Sequence, residues 1–187
     1  MRKRILLAAL GLIVLPAMSF AADKPAPVKA KIYLDKNVSK VSTIAKQAIV
    51  VEAQTAEVLF AKEADKVMPT SSMSKVLTMF VVFDAIDSGK LKLDDKIKIS
   101  RKAWSQKGSR MFVREGSRVK VEDLIRGVIV QSGNDAAVAL AEAVSGSEEA
   151  FAGEMNQKAK ELGMSRSHFA NATGLPDPNH YSTAQDL

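Results

Sequence analysis

The 187-residue chain is near the length of one ordinary domain and contains no cysteine, which excludes disulfides, thiolate catalysis and cysteine-ligated metal. Only two histidines occur, His168 and His180, so a Ser-His-Asp triad has few candidate bases and a histidine-rich zinc site lacks ligands. The formal net charge of +6 falls to +3 once Arg2, Lys3 and Arg4 are set aside, and no dense basic cluster remains to argue for nucleic acid.

Residues 1–21 read as an export signal. The basic start precedes an apolar run from Ile5 to Leu15, and Ser19 and Ala21 fit a small-residue cleavage site. The run is short for a membrane span, and an uncleaved anchor is the alternative. Residues 22–46, rich in Lys, Ala, Pro, Val and Ser, predict an exposed linker.

Ala48 to Ala53 is β-branched and apolar, and Glu57 to Ala61 can return against it, predicting a hairpin whose turn lacks a glycine. Pro69 closes that segment. Thr70 or Ser71 can cap a helix expected to run to about Ser88, with Gly89 as its stop. The middle of this helix is apolar on nearly every face, which marks a core helix, and Lys75, Asp84 and Asp87 argue against a membrane span.

Leu91 to Ser100 alternates charged and apolar residues and predicts a short strand, with Trp104 in a following loop. Three more helices are expected, over Val121–Val130, Asp135–Val144 and Ser147–Leu162. Glu122 and Asp123 suit the first turn of one, and Gly163 ends the last. Gly174-Leu175-Pro176-Asp177-Pro178 reads as a rigid loop.

Two short patterns can carry chemistry. Ser72 and Lys75, three apart, share one helix face. A serine hydroxyl becomes a good nucleophile when a neighbouring base takes its proton, and burial lowers a lysine pKa enough to make it that base. Ser132-Gly133-Asn134, at the junction of two helices, can aim a hydroxyl and an amide into one cleft. The same residues also fit a capped helix start with a solvated lysine, and an ordinary turn.

Together the two patterns match the S-x-x-K and S-x-N boxes of penicillin-recognising serine hydrolases. Pro69-Thr70-Ser71-Ser72-Met73-Ser74-Lys75 resembles the nucleophile box of the low-molecular-mass penicillin-binding proteins. The stretches from Met111 to Gly116, Leu124 to Gly127 and Gln131 to Ala136 are similar to the second-box region of D-alanyl-D-alanine carboxypeptidases. So are Phe169 to Leu175 and Tyr181 to Leu187.

The resemblance implies an α+β, β-lactamase/transpeptidase-like catalytic domain over residues 47–187. It would be a helical cluster with an antiparallel sheet of which only the N-terminal strands are present. It implies a serine carboxypeptidase of the bacterial envelope that removes the terminal D-Ala from peptidoglycan stem peptides. In those roles Ser72 is the nucleophile and Lys75 its general base. Ser132 relays the proton and shares substrate binding with Asn134, which also orients Lys75. β-Lactams are expected as covalent inhibitors, and no cofactor or metal is called for. Expected surroundings are the periplasm or the outer face of the cytoplasmic membrane, with membrane-surface association of the intact protein. A D,D-endopeptidase, a β-lactamase and a non-catalytic peptidoglycan-binding protein are the alternatives.

The second box has Gly133 where class A β-lactamases have Asp, which favours the carboxypeptidase side. No Lys-Thr-Gly or Lys-Ser-Gly triplet occurs, and Ala172-Thr173-Gly174 has Ala where the third box needs Lys. The chain therefore reads as the N-terminal part of such an enzyme, with little or no activity by itself and with an uncovered apolar helix face.

Overall fold

The structure, a computed structural model, describes residues 43–187. The expected export signal and residues 22–42 of the linker lie outside them.

The chain enters a hairpin of β1 (Ala48–Val51) and β2 (Val58–Lys62), paired antiparallel from Ala48 opposite Lys62 to Val51 opposite Val58, with a bulge at Val50/Val51. Glu52 does the work of the missing turn glycine. Its Oε2 accepts from the Gln54 and Thr55 amides and from the Thr55 hydroxyl at 2.6–2.9 Å, so the carboxylate folds the turn around itself.

A 3-10 turn, Ser71–Ser74, leads into α1 (Lys75–Asp87). Neither Thr70 nor Ser71 caps this helix with its side chain. Thr70 is buried, and its hydroxyl instead meets Ser74 Oγ at 2.6 Å. At the other end Gly89, at φ +75°, supplies the expected left-handed stop.

The alternating segment forms β3 (Lys96–Lys98), and its antiparallel partner β4 (Arg118–Lys120) had no recognised sequence signal. Trp104 closes a short helix, α2 (Arg101–Trp104), because Ser100 Oγ accepts from the Ala103 amide at 2.9 Å and caps it. The remaining helices are α3 (Val121–Gln131), α4 (Asn134–Ser145) and α5 (Glu148–Glu161), each within two residues of its expected bounds.

The core is organised around α4, where Ala136 to Ala141 are all essentially inaccessible. Its alanines let α1, α2, α3 and α5 all pack on it closely. Phe151, Met155, Leu124, Val82 and Phe169 fill the space around it. Truncating a fully buried phenylalanine such as Phe151 to alanine should cost about 3–5 kcal/mol.

The segment after α5 folds back across the hairpin's exit. Met68 and Ser182 exchange backbone hydrogen bonds of 2.8 and 3.1 Å, and His168 pairs with Tyr181 in the same way. This return lays residues 169–180 against the 3-10 turn.

The architecture is α+β, as the resemblance implied, although its strands make two separate two-stranded sheets among the described residues. Val76, Phe80 and Phe83 form an exposed apolar stripe along α1. No helix of the described residues is long and apolar enough to cross a membrane.

Candidate active site

The 3-10 turn keeps Ser72 exposed while its last turn of chain buries Lys75, which is only 5% accessible. Lys75 Nζ lies 3.0 Å from Ser72 Oγ and donates to the Thr173 carbonyl oxygen at 2.7 Å. Among the described residues no acidic group forms an ion pair with this lysine. Burial alone lowers its pKa from 10.5 to about 8. At neutral pH about a tenth of the molecules then hold Lys75 uncharged, against fewer than about one in a thousand for an ordinary lysine. The capped-helix reading with a solvated lysine fails on this burial.

Thr173 was missed in the sequence, where its triplet was set aside as a false third box. Asn171 fixes it: Oδ1 accepts from the Thr173 amide, the Thr173 hydroxyl and the Gly174 amide at 2.8–3.1 Å. This tight turn aims the Thr173 carbonyl at Lys75. Gly174, at φ +79°, passes so near the nucleophile turn that an added Cβ would lie 1.7 Å from the Ser71 carbonyl oxygen. The similarity of Phe169 to Leu175 to a known segment was the signal that could have drawn attention to it.

Ser132 ends α3 in the left-handed conformation, φ +54°, and the next amide, that of Gly133, donates to the Gly127 carbonyl at 3.0 Å. Ser132 lines one cleft of about 440 Å³ with Ser72 and Lys75, walled by Val76, Phe80 and Ile129. Its hydroxyl makes no hydrogen bond to either of them. The structure thus brings three of the four expected residues to one cleft.

Asn134 is placed differently. Its Nδ2 donates to the Lys107 carbonyl at 2.6 Å and its amide to Ser109 O at 2.8 Å, so it pins the 107–109 loop; no hydrogen bond joins it to Lys75. Gly108 is needed there, since an added Cβ would stand 3.0 Å from Nδ2.

Asp135 was also missed as more than a helix start. Its carboxylate, 1% accessible, accepts from the Met111, Val113 and Ala136 amides at 2.9–3.2 Å. Those bonds hold Phe112 between them at φ +63°, a strained conformation for a bulky residue.

A larger groove of about 600 Å³ between α1 and α5 holds no such pair; Asp84 and Lys158 at 2.7 Å, and Lys90 and Glu154 at 3.6 Å, neutralise one another across it. Among the described residues no group of His, Asp and Glu could hold a metal ion.

The helical cluster with its small antiparallel sheets has the β-lactamase/transpeptidase fold of solved penicillin-binding proteins and DD-peptidases. The solved D-alanyl-D-alanine carboxypeptidase DacD of Francisella tularensis superposes with a TM-score of 0.76 at 39% identity, over 78% of this chain and 35% of that one. Residues 35–187 match the D-alanyl-D-alanine carboxypeptidase family model, and the chain belongs to that family. It is 42% identical to D-alanyl-D-alanine carboxypeptidase DacF of Bacillus subtilis over 152 residues, 81% of this chain. To DacC of Escherichia coli it is 38% identical over 159 residues, 82% of this chain. The matches cover 39% and 40% of those relatives, so the chain spans about two fifths of their length.

Proposed function

We propose that this chain supplies the nucleophile side of a serine D-alanyl-D-alanine carboxypeptidase acting on peptidoglycan stem peptides. The observation that carries the reading is the 3.0 Å approach of a buried lysine amine to an exposed serine hydroxyl. Ser72 Oγ attacks the carbonyl carbon of the penultimate D-Ala while its proton passes to Lys75 Nζ. The amine of the terminal D-Ala leaves with a proton relayed through Ser132, and water then hydrolyses the ester on Ser72. Asn134 is the proposed holder of Lys75 and of the substrate amide. Its Oδ1, which takes no donor among the described residues, is the atom available for that.

β-Lactams, whose strained amide mimics the scissile bond, would acylate Ser72 by the same attack and leave slowly. Export to the periplasm or the outer face of the cytoplasmic membrane is proposed from residues 1–21.

The Lys-Thr-Gly box does not occur in these 187 residues. Removing a single oxyanion donor already costs roughly 10²–10³ in rate, and the chain by itself is accordingly proposed to acylate poorly or not at all. The test uses fluorescent penicillin and intact mass on two proteins. One is the 187-residue chain. The other is the same chain continued through the remaining catalytic domain of the Bacillus subtilis relative. The continued protein should take one label, lose it in Ser72→Ala, and release D-alanine from a peptide ending in D-Ala-D-Ala. A folded continued protein without label would overturn the functional reading. Label on the shorter chain would overturn its proposed inactivity.

A further inference from the structure

Ser74 lies between Ser72 and Lys75 but faces the opposite way, into a buried polar chain. Its Oγ is 2.6 Å from Thr70 Oγ1 and 2.7 Å from His180 Nε2. Thr70, Ser74 and His180 are respectively 1%, 0% and 5% accessible, so water does not complete these bonds. The other ring nitrogen, Nδ1, receives the Ala170 amide at 3.2 Å. A backbone amide can only donate, so Nδ1 carries no proton and Nε2 does. The ring therefore donates to Ser74, and Ser74 is free to donate onward to Thr70.

The imidazole thus joins two pieces of chain that meet nowhere in sequence. One is the turn that bears Ser72 and Lys75. The other is the segment Phe169–Thr173, whose Ala172 carbonyl accepts from Thr78 Oγ1 at 2.8 Å and whose Thr173 carbonyl accepts from Lys75. The ring also stands edge-on to Phe169, with centroids 5.5 Å apart at 83°. That contact places it without adding a polar partner.

We infer that His180 is a positioning residue: bonded to Ser74 on one side and Ala170 on the other, it fixes the Thr173 carbonyl over Lys75 and so sets the Lys75–Ser72 geometry. The inference rests on the Ser72–Lys75 reading for its functional consequence, while its structural content stands apart from that.

Protonating the ring would put an Nδ1–H against the Ala170 amide, donor against donor, and break the brace. The ionisable groups that face the ring are Asp177, whose carbonyl also accepts the His180 amide at 3.0 Å, and His168 on the paired segment. Burial holds the imidazole below its usual range, with Asp177 opposing and His168 reinforcing the shift. The brace should consequently hold at neutral pH and open only in acid.

The measurement is the titration of Lys75 in the full chain, read by NMR of 13C-labelled lysine, in wild type and in His180→Phe, His180→Gln and Ser74→Ala. Phenylalanine keeps the ring against Phe169 and loses both hydrogen bonds. With the Thr173 segment loosened, water reaches Lys75, and its pKa should climb by about one unit or more toward the ordinary lysine value. Ser74→Ala, which cuts the brace from the other end, should give a similar rise and add nothing to His180→Phe when combined with it. Glutamine, which can still donate to Ser74, should recover most of the wild-type value.

In the continued protein the acylation rate should fall about tenfold or more in His180→Phe. Wild type should show an extra loss in acid that His180→Gln lacks. A folded His180→Phe chain with an unchanged Lys75 titration would overturn the inference, and so would a glutamine variant as impaired as the phenylalanine one. If wild type takes no penicillin, the functional reading fails, and the lysine titration still decides the role of His180.

Discussion

Lys75 Nζ donates to the carbonyl oxygen of Thr173 at 2.7 Å while standing 3.0 Å from Ser72 Oγ. The carbonyl can only accept, so it claims an N–H of the amine. Once Lys75 is neutral, its lone pair can turn to Ser72. The carbonyl of an uncharged residue thereby orients a base without adding the negative charge that would raise its pKa.

Acylation of Ser72 in a complete enzyme should rise with pH and level off above about 8, following loss of the Lys75 proton. Lys75→Arg, whose guanidinium does not deprotonate, should lower the rate by roughly 10²–10⁴ at every pH. Stopped-flow labelling with penicillin between pH 6 and 10 checks both. An arginine variant with the wild-type profile would remove Lys75 from the mechanism.

The same burial has a stability consequence of definite sign. The folded value of about 8 lies below the ordinary 10.5, so between those pH values the unfolded chain holds a proton that the folded chain has released. Stability from this group should therefore rise as pH climbs from about 8 to about 10.5, and be at its lowest below 8. Lys75→Met removes a buried ammonium and should melt higher than wild type at pH 7, by about 2–4 °C for each kcal/mol gained. The difference should shrink as pH approaches 10.5. Calorimetric melting curves at three pH values decide it.

Helices with strong periodicity and a glycine or serine at their ends were legible from sequence: α3, α4 and α5 fall where Val121, Asp135 and Ser147 suggested. The strand β4 was not, because three residues of Arg-Val-Lys offer too little pattern, and only pairing with β3 defines it. Ser72, Lys75 and Ser132 stand out in the sequence by spacing and box resemblance, and the structure gathers them at one cleft. Thr173 was invisible for a physical reason: its contribution is a backbone carbonyl, which every residue owns, placed by an Asn171 turn and a fold-back of 98 residues. His180 carried no sequence signal for its place, because Ser74, which closes on one of its nitrogens, lies 106 residues away, while Ala170 closes on the other. Asn134 shows the reverse limit, since the box marks the residue but not the Lys107 carbonyl it engages.

Asp135 should matter for the loop beside that asparagine more than for the helix it begins. Asp135→Asn keeps the shape but turns an NH₂ toward the Met111 or Val113 amide, leaving a buried donor unmatched at a cost of about 1–3 kcal/mol. With the clamp weakened, Phe112 can leave its left-handed conformation. Trypsin should then cut faster at Arg110 or Arg114 in the variant, under conditions where the helices stay intact by circular dichroism. Equal cleavage rates would show that the loop does not depend on Asp135.

Two glycine substitutions separate close approach from mere helix propensity. Gly153 sits inside α5 with nothing within 4 Å of an added Cβ, so Gly153→Ala should stabilise the chain by about 0.5–1 kcal/mol. Gly174→Ala meets the Ser71 carbonyl at 1.7 Å and must also hold φ +79°. Neither conflict can relax without moving either the nucleophile turn or the Asn171 turn. The variant should lose about 1–3 kcal/mol, and its Thr173 carbonyl should leave Lys75, which would then titrate nearer an ordinary lysine. Urea unfolding together with the lysine titration tests the pair. A Gly174→Ala protein that is as stable as wild type, with Lys75 still near 8, would show that the Thr173 turn has room the structure does not give it.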